Sequence, residues 1–411
     1  MSSEPAHPKT TLVRRLSVPL LVLYGLGVTI GAGIYVLIGE IAHRAGVYSP
    51  YAFMAAAILI APTTYSFSKL VARFPVSAGE ARYVVEGFRL NWLGILVGLM
   101  VALAGIVSTA TLSVGSIGYL QMFVDIPAPL MIIVIMVLFS GLAIVGIKAS
   151  VTAAAILTLV EIGGLVALIW AGVLVDTPAI MDGLRAPFVN FDISAIGLIA
   201  STSVIAFYAF IGFEDMVNVA EEVKDPARSF PIAIAVTLGV TMVLYFLVST
   251  VAVSLVGAEA LGQSNAPITL VAERTGVLSP TLLSAIGALS ALNGILIQII
   301  MASRVLYGLS RQTKLATPFS YVSARTHTPI VATMVVAGIS LLLALLFPLA
   351  GLAEATSRIT FVIFILVNGA LVALTLREAN WQIRDIASWT PVIVPTFGAF
   401  GTVGLMIVSL L

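Results

Sequence analysis

Long runs of apolar residues, separated by short polar segments, dominate the chain from residue 17 onward. A helix needs about 20 predominantly apolar residues to cross the hydrocarbon core of a bilayer. The pattern therefore predicts eleven membrane-spanning helices, near residues 17–44, 50–71, 91–121, 128–148, 151–175, 194–222, 231–256, 279–309, 329–349, 353–376 and 389–410. The third and eighth runs are long enough to require tilt or protrusion, and the first and sixth contain glycines that favour an interrupted helix. This is the pattern of an all-α polytopic membrane protein.

The composition agrees with this prediction and excludes several kinds of chemistry. Of the 411 residues, 60% are hydrophobic and 9% are charged, against roughly 25% charged residues in a soluble domain. The 20 basic and 19 acidic residues nearly cancel, so net charge does not indicate a nucleic-acid partner. The sequence has no cysteine for a disulfide or a thiolate site, and its three histidines do not suggest a metal cluster. We expect no metal or bound cofactor, and membrane lipid as the surrounding partner.

The distribution of lysine and arginine predicts an orientation, because loops on the cytoplasmic side are enriched in these residues. With the N-terminus inside, sixteen of the 20 basic residues fall on the cytoplasmic side. The four on the outer side are Arg44, Arg185, Arg274 and Arg358. We therefore predict a cytoplasmic N-terminal tail, residues 1–16, and a multi-pass protein of the cell membrane.

The layout of the spans also predicts an internal repeat. Gly31 in the first span and Gly212 in the sixth lie 181 residues apart, and the long third and eighth spans begin 188 residues apart, at Asn91 and Ser279. Because a five-span unit has an odd number of crossings, its second copy enters the membrane from the opposite side, as in secondary transporters. The predicted units are a first repeat at 17–175, a second repeat at 194–376 and an additional eleventh span at 389–411.

The stretch GVTIGAGIYV in the first span predicts a break in the helix at mid-membrane. Backbone groups freed inside a bilayer are costly unless they are buried or bound, and a ligand can bind them. The N–H groups of a half-helix starting at Gly33 and Ile34 suit a carboxylate, and the carbonyl of Thr29 suits an ammonium group. Close helix packing is the alternative explanation for such glycines.

The stretch FYAFIGFEDM predicts a matching break in the sixth span at Gly212. The carbonyl groups of Tyr208 and Ile211 would then face the break in the first span. A small zwitterion, with its carboxylate at one half-helix and its ammonium group at the opposing carbonyls, fits this geometry. The two breaks together predict a binding site for an amino acid or a related amine.

Four segments, in order along the chain, resemble the amino acid–polyamine–organocation (APC) transporters: GVTIGAGIYVL, FPVSAGEARYVVEGF, FIGFEDMVNVAEEVKDPARSFPIAI, and LNGILIQIIMASRVLYGLSRQTKLA followed by TPI. The second segment departs from the family's usual P-x-A-G-G-x-Y. The resemblance implies a LeuT-type 5+5 inverted-repeat bundle with discontinuous first and sixth helices, plus an eleventh helix, that alternates access to a central site. Relatives usually have twelve spans, which leaves open whether this chain is a monomer or a homodimer.

The resemblance also assigns roles by position. Gly31, Ala32 and Gly33 would bind the substrate carboxylate, and the carbonyls of Thr29, Tyr208 and Ile211 would bind the amino group. The ring of Tyr208 would be the gate. Ser108 and Thr109 would line the side-chain pocket, although each hydroxyl could instead bond back to its own helix.

Two acidic residues are candidates for ion coupling. Glu161 lies in the apolar fifth span, where an ionised carboxylate is costly and normally marks an ion or proton path. Some similar transporters carry a lysine at about this place, so Glu161 reverses the charge. We hypothesise that Glu161 binds the coupling proton; a permanently protonated structural carboxyl, and sodium coupling through Asn293 and Ser290, are the alternatives. Glu214 follows the second break as either a cap or a proton relay.

Together these features predict a secondary active amino acid transporter, proton-coupled, with a neutral α-amino acid favoured. A polyamine or cationic amine transporter, an exchanger and a non-transporting amine sensor remain alternatives. An enzyme is not expected, because no span holds a paired nucleophile and base or an H-E-x-x-H metal motif. A channel would need a continuous polar pore, whereas the polar groups gather around two breaks at one depth.

Overall fold

The computed structural model describes residues 16–76, 79–145, 151–189, 193–313, 317–326, 328–378 and 386–410. Within these ranges the chain is almost entirely helical. The α-helices are α1 (Val18–Ala45), α2 (Ser49–Arg73), α3 (Gly79–Phe88), α4 (Asn91–Leu120), α5 (Ala128–Val145), α6 (Val151–Val189), α7 (Ile193–Tyr208), α8 (Pro226–Val256), α9 (Ala258–Gln263), α10 (Pro267–Thr275), α11 (Pro280–Thr313), α12 (Ile330–Leu346), α13 (Leu349–Glu378) and α14 (Ile386–Val408).

Each of the eleven predicted spans corresponds to an apolar helix. By length and composition, eight stretches of the described chain can cross a membrane, and the first of them contains both α1 and α2. The sixth and ninth spans are the shorter apolar helices α7 and α12. Large apolar side chains on the outer surface, such as Val137, Trp170 and Phe400, are well exposed in the isolated chain, as expected for a surface that faces lipid. The prediction of a multi-pass membrane protein is confirmed.

The predicted discontinuity of the first span is wrong for this structure. Helix α1 runs without interruption from Val18 to Ala45, so Gly31 and Gly33 lie inside a continuous helix. The glycines instead allow close packing: a β-carbon on Gly33 would lie 2.6 Å from the carbonyl oxygen of Ala209, and one on Gly25 would lie 2.5 Å from Sδ of Met216. The close-packing alternative therefore accounts for the glycine-rich stretch.

The predicted break in the sixth span is confirmed. Helix α7 ends at Tyr208, a turn follows over residues 209–213, and a 3-10 helix continues over Glu214–Glu222. Gly212 has a φ of +125°, a conformation that is strained for residues with a side chain. A β-carbon on Gly212 would also lie 3.1 Å from the backbone carbonyl carbon of Val28. Glycine at this position thus meets both a backbone and a packing requirement.

The fifth span ends where the sequence predicted, at residue 175. Helix α6 continues to Val189, but Asp176 interrupts its helical geometry with φ −151° and ψ 73°. Oδ1 of Asp176 accepts a hydrogen bond from the backbone N–H of Ala179 at 2.9 Å, which satisfies a free donor at the start of the second helical segment.

A short main-chain pairing joins the chain before α1 to the end of the sixth span. The N–H of Leu16 donates to the carbonyl of Glu222 at 3.0 Å, and the N–H of Lys224 donates to the carbonyl of Leu16 at 3.0 Å. Leu16 and Val223 are both buried. We call the membrane face that carries this pairing and the start of α1 the N-side. Most of the predicted tail, residues 1–15, lies outside the described residues.

Candidate functional site

The turn at residues 209–213 lies directly against the middle of α1. Gly33 packs on the backbone of Ala209, and Gly212 packs on the peptide that follows Val28. Because both contacts are made by glycine, the two backbones approach each other with no intervening side chain. The structure therefore brings the predicted segments of the first and sixth spans together at one depth.

Tyr245 of α8 bonds to both of these segments. Its hydroxyl donates to the carbonyl oxygen of Thr29 at 2.9 Å and to that of Ala209 at 3.0 Å. A tyrosine hydroxyl has one hydrogen, so the two carbonyls share a single donor. The ring is buried, with the rings of Phe53 and Phe210 at 5.3 Å and 5.2 Å. A lone tyrosine in an apolar run gave no signal of this role in the sequence.

The backbone acceptors that face each other differ in part from those predicted. Thr29 faces Ala209, whereas the carbonyl of Tyr208 accepts the N–H of Ile211 at 3.0 Å within the turn. Gly33 and Ile34 lie inside α1 rather than at the start of a half-helix. The side chain of Ala32 lies outside the described part of the chain. In this conformation α1 therefore does not offer the predicted carboxylate site.

A small cavity lies beside the break, and we call it the central cavity. It measures about 10 Å³, roughly the space of one water. Its lining residues are Val28, Ser108, Leu112, Tyr208, Ile211, Gly294, Ile297 and Gln298. Oγ of Ser108 and the hydroxyl of Tyr208 lie 2.9 Å apart in its wall. The structure thus brings Ser108, Tyr208 and Ile211 together in the wall of one cavity, and their roles in substrate binding stay a prediction.

Thr109 does not join this group. Its hydroxyl donates to the carbonyl of Gly105, one turn earlier in α4, at 2.7 Å. It is fully buried and is absent from the lining of the central cavity. Of the two hydroxyl residues predicted on the third span, only Ser108 faces the site.

A second cavity adjoins the central cavity toward the N-side, and we call it the N-side cavity. It measures about 30 Å³, roughly two or three waters. Ser108, Ile211 and Gln298 line both cavities. The rest of its wall consists of Glu80, Val101, Ala104, Gly105, Glu214, Asp215, Met301, Thr356, Thr360, Ile363 and Phe364.

The acidic residues of the N-side cavity make few hydrogen bonds. Oε2 of Glu214 accepts the backbone N–H of Gly212 at 2.9 Å, which ties the carboxylate to the turn. Oδ2 of Asp215 accepts Nε2 of Gln298 at 3.2 Å. Glu80 lies in α3, outside the membrane-spanning helices, where burial and then the nearby charge of Asp215 raise its pKa to about 8. In the sequence, Glu80 is marked only by the departure of FPVSAGEARY from the usual family motif.

Glu161 lies on the other side of α1, in contact with different partners. It is fully buried, and neither of its carboxylate oxygens has a hydrogen-bond partner among the described residues. The hydroxyl of Ser290 is close enough to interact with it. A β-carbon on Gly31 would lie 3.0 Å from Oγ of Ser290 and 3.7 Å from Oε2 of Glu161. Gly31, Glu161 and Ser290 thus converge, while Asn293 is half-buried further along α11.

Neither Glu161 nor the acidic residues of the N-side cavity form a candidate metal site. Within the described ranges, no cluster of three or more histidine, aspartate or glutamate residues is placed to hold a metal ion.

Comparison with known proteins gives matches along most of the chain. The family profile described as "Amino acid permease" matches residues 21–409. The chain is 29% identical over 388 residues to the mitochondrial cationic amino acid transporter 3 of Arabidopsis thaliana, covering 89% of this chain and 63% of the relative. It is 30% identical over 390 residues to the vacuolar cationic amino acid transporter 4 of the same plant, covering 89% and 64%. The chain therefore spans less than two thirds of the length of these relatives.

A bacterial relative and a solved structure extend the comparison. The chain is 26% identical over 392 residues to the branched-chain amino acid permease BcaP of Bacillus subtilis, covering 90% of this chain and 83% of the relative. The fold matches a Na+-coupled sialic acid symporter in a substrate-bound outward-open state, with a TM-score of 0.64, 15% identity and coverage of 97% and 90%. At this identity the likeness shows the fold alone, which is the LeuT-type helix bundle that the sequence predicted.

Proposed function

Because the chain belongs to the amino acid permease family, we propose that it is a secondary active transporter that moves an α-amino acid across a membrane by alternating access. The observation that carries the proposal is the unwound turn at residues 209–213, packed on α1 beside a cavity that Ser108 and Tyr208 line. Broken helices at mid-membrane are typical of transporter binding sites.

Substrate binding requires this site to open. The two cavities together hold only a few waters, which is less than the space of an amino acid. Since Gly33 and Gly212 hold α1 and the turn in backbone contact, opening must separate these two elements. The Tyr208 ring, buried beside the central cavity, is the proposed gate. The substrate ammonium group is proposed to bind the carbonyl oxygens of Thr29 and Ala209. There it would replace the Tyr245 hydroxyl as the hydrogen-bond donor.

The proposed coupling ion is a proton held by Glu161. Its buried carboxylate has no hydrogen-bond partner among the described residues and lies beside α1, which must move during transport. A titratable group at this position would link protonation to the position of α1. Sodium is the second candidate, because the hydroxyl of Ser290 beside Glu161 offers an oxygen ligand. Uptake measured at fixed pH, with sodium replaced by choline, separates the two.

The central cavity suits an aliphatic side chain. Four of its eight lining residues, Val28, Leu112, Ile211 and Ile297, are aliphatic, which supports a neutral α-amino acid as the substrate. Two relatives are named for cationic amino acids and one for branched-chain amino acids, so the test panel should hold both classes, together with a polyamine. Exchange is tested by preloading the vesicles with the same panel.

The proposed location is the cell membrane, with the N-terminus in the cytoplasm. The bias of lysine and arginine toward the N-side supports this orientation. Some relatives are named as vacuolar or mitochondrial. Labelling of single cysteines, introduced into this cysteine-free chain at a loop on each face, tests the orientation in intact cells.

Reconstitution into liposomes tests the proposal directly. Labelled leucine, lysine and putrescine should be offered with and without an imposed pH gradient. We expect saturable uptake of an amino acid that the gradient accelerates. Binding of an amino acid without any flux would indicate a non-transporting sensor instead.

A further inference from the structure

Two fully buried tyrosines, Tyr35 of α1 and Tyr119 of α4, pack against each other away from the N-side. Their ring centroids lie 6.3 Å apart, with an angle of 79° between the ring planes, which is the edge-to-face geometry that aromatic pairs prefer. Gly287 of α11 packs on both rings, because a β-carbon there would lie 2.9 Å from Cδ1 of Tyr119 and 3.2 Å from Cδ1 of Tyr35. We call Tyr35 and Tyr119 the tyrosine pair, and the membrane face opposite the N-side the far side.

The tyrosine pair lies between the central cavity and the far side. The helices α1, α4 and α11 each contribute one residue to the wall of that cavity at the same depth, namely Val28, Leu112 and Gly294. Tyr35, Tyr119 and Gly287 lie seven residues from these positions on the same three helices, in the direction of the far side. Seven residues make nearly two full turns, so each position shares a helix face with its counterpart and lies about 10 Å further along. The pair therefore separates the cavity from the far side.

Hydrogen bonds hold the tyrosine pair in this position. The hydroxyl of Tyr119 donates to the carbonyl oxygen of Tyr35 at 2.5 Å. The backbone N–H of Ile268, at the start of α10, lies close enough to interact with the same hydroxyl, which helps to satisfy a free donor of that helix. The hydroxyl of Tyr35 donates to the backbone carbonyl of Glu161 at 3.1 Å. Tyr119 thus joins α4 to α1 and contacts α10, while Tyr35 joins α1 to α6.

The short helices α9 and α10 cover the tyrosine pair on the far side. Leu261 in α9 and Ile268 in α10 are fully buried. Two glycines let this cover approach the ends of α1 and α4: a β-carbon on Gly39 would lie 2.7 Å from the carbonyl oxygen of Leu261, and one on Gly118 would overlap the carbonyl of Asn265. The route from the central cavity to the far side is therefore closed in this conformation, first by the pair and then by the cover.

We propose that the tyrosine pair is a gate, and that its two rings must part before a substrate can pass between the central cavity and the far side. This gate is separate from the one assigned to Tyr208, and it rests on the proposed function, since it takes the central cavity as part of the substrate route. Movement of α1 away from α4 breaks the bond from Tyr119 to the carbonyl of Tyr35 and separates the rings. Tyr35 then moves with α1, while Tyr119 stays beside α10.

The experiment measures access to the central cavity instead of transport. The sequence contains no cysteine, so Leu112→Cys, in the cavity wall, reports access through its rate of reaction with a membrane-impermeant thiol reagent. The reagent is applied to either face of sealed membrane vesicles. Asp125→Cys in the exposed segment between α4 and α5, and Asp225→Cys at the exposed start of α8, identify the face that the reagent reaches.

Tyr119→Phe removes the hydroxyl that bonds to α1 and keeps the ring. We expect it to raise the reaction rate of Leu112→Cys from the far side about three- to tenfold, the effect of losing one neutral hydrogen bond in the closed state. The rate from the N-side should not rise. Tyr83→Phe is the matched control and should change neither rate, because Tyr83 is also fully buried but its hydroxyl has no hydrogen-bond partner among the described residues.

Gly287→Ala tests the same gate without removing a hydrogen bond. Its β-carbon would crowd both rings in the closed position, so we expect faster reaction from the far side here as well. Gly338→Ala is its control, because nothing lies within 4 Å of a β-carbon there. The gate is overturned if neither Tyr119→Phe nor Gly287→Ala changes the far-side rate relative to its control, or if both raise the rates from the two faces equally.

The gate and the transport function can fail separately. If the vesicles take up no amino acid while Tyr119→Phe still raises the far-side rate, the transporter proposal fails and the gate stands. If the wild type shows saturable uptake but Tyr119→Phe and Gly287→Ala react from the far side as their controls do, transport stands and the gate is overturned, because the route to the far side then does not pass the tyrosine pair.

Discussion

The hydroxyl of Tyr245 lies 2.9 Å from the carbonyl oxygen of Thr29, so a side chain of α8 is bonded to the middle of α1. The same hydroxyl reaches the carbonyl of Ala209 in the turn of the sixth span at 3.0 Å. One buried group thus links the three elements that surround the proposed site, and any movement of α1 away from the turn must break at least one of these bonds.

Replacement of Tyr245 by phenylalanine should destabilise the closed arrangement of α1 and the turn. The change removes a hydroxyl donor that two buried carbonyls share. The carbonyl of Thr29 keeps its bond within the continuous helix α1, whereas that of Ala209 loses its donor, which costs about 1–3 kcal/mol. We expect a lower melting temperature in detergent and a slower maximal uptake rate in liposomes. Tyr65→Phe is the control, since Tyr65 is only half-buried on α2. Equal melting temperatures for the two variants would contradict the assigned role.

Replacement of Gly212 by alanine should disrupt the turn of the sixth span. Its φ of +125° and its contact with the backbone of α1 leave no room for a β-carbon, and we expect a loss of at least about 1–3 kcal/mol together with most of the transport activity. Gly239→Ala is the matched control, because nothing lies within 4 Å of a β-carbon there. The control should be neutral or stabilised by roughly 0.5–1 kcal/mol. Transport by Gly212→Ala at the wild-type rate would refute the requirement for glycine.

Replacement of Ser108 by alanine should weaken substrate binding. The change removes the hydrogen bond to the Tyr208 hydroxyl from the wall of the central cavity. We expect KM for the preferred amino acid to rise about three- to tenfold, the effect of losing one neutral hydrogen bond. Ser113→Ala in the same helix removes a hydroxyl that bonds back to Thr109 and should leave KM nearly unchanged. If the two variants have the same KM, the Tyr208 hydroxyl does not depend on Ser108.

Replacement of Glu161 by glutamine should remove the pH dependence of uptake while substrate binding is largely retained. The amide keeps the size of the side chain but cannot gain or lose a proton in the physiological range. The measurement is uptake by proteoliposomes over a range of pH, with binding measured in parallel. Glu259→Gln, an exposed acid in α9, is the control and should follow the wild-type profile. An unchanged pH profile in Glu161→Gln would eliminate Glu161 as the coupling group.

The stability of the folded protein should fall with rising pH because of Glu80. Burial raises its pKa from the ordinary 4.5 to about 8, so the folded state binds this proton more tightly than the unfolded state does. The contribution of Glu80 to stability is therefore fully present below about pH 4.5 and is lost as pH rises to about 8, with a maximal slope of about 1.4 kcal/mol per pH unit.

Glu80→Gln should flatten this dependence. Melting temperatures of the wild type and of Glu80→Gln, measured from about pH 5 to pH 9 without added amines, should diverge as pH rises. Glu86→Gln should run parallel to the wild type, since Glu86 is paired at the surface. A constant difference between the wild type and Glu80→Gln at every pH would show that Glu80 does not titrate as described.

The sequence predicted the spans well because each one must fill the thickness of a bilayer with apolar residues, a requirement that is local in the chain. It also predicted the turn at Gly212, where aromatic residues precede a glycine and two acids follow it. The limits of the two inverted repeats, 17–175 and 194–376, stay a prediction.

The error in the first span has a clear physical origin. Glycines at Gly31 and Gly33 permit either a break or a close contact, and the partner decides between them. The partner of Gly33 is the backbone of Ala209, 176 residues further along the chain, and that of Gly31 is Ser290. No pattern within the first span reveals either contact.

Sequence analysis missed three polar groups for the same reason, because their partners lie far away in the chain. Tyr245 and Gln298 each stand alone in apolar helices, and Glu80 lies between the predicted second and third spans. Their roles come from contacts with Thr29, Asp215 and the N-side cavity, each made over a long separation in sequence. Spacing along a single helix could not place them, because each contact depends on how the bundle assembles.

The main-chain pairing of Leu16 with Glu222 and Lys224 couples the position of the chain before α1 to that of the end of the sixth span. In the proposed transport cycle, opening of the N-side would either move this segment together with the end of the sixth span or break its two main-chain hydrogen bonds. A fusion partner or a modification placed just upstream would then slow the proposed transport without contacting the substrate site.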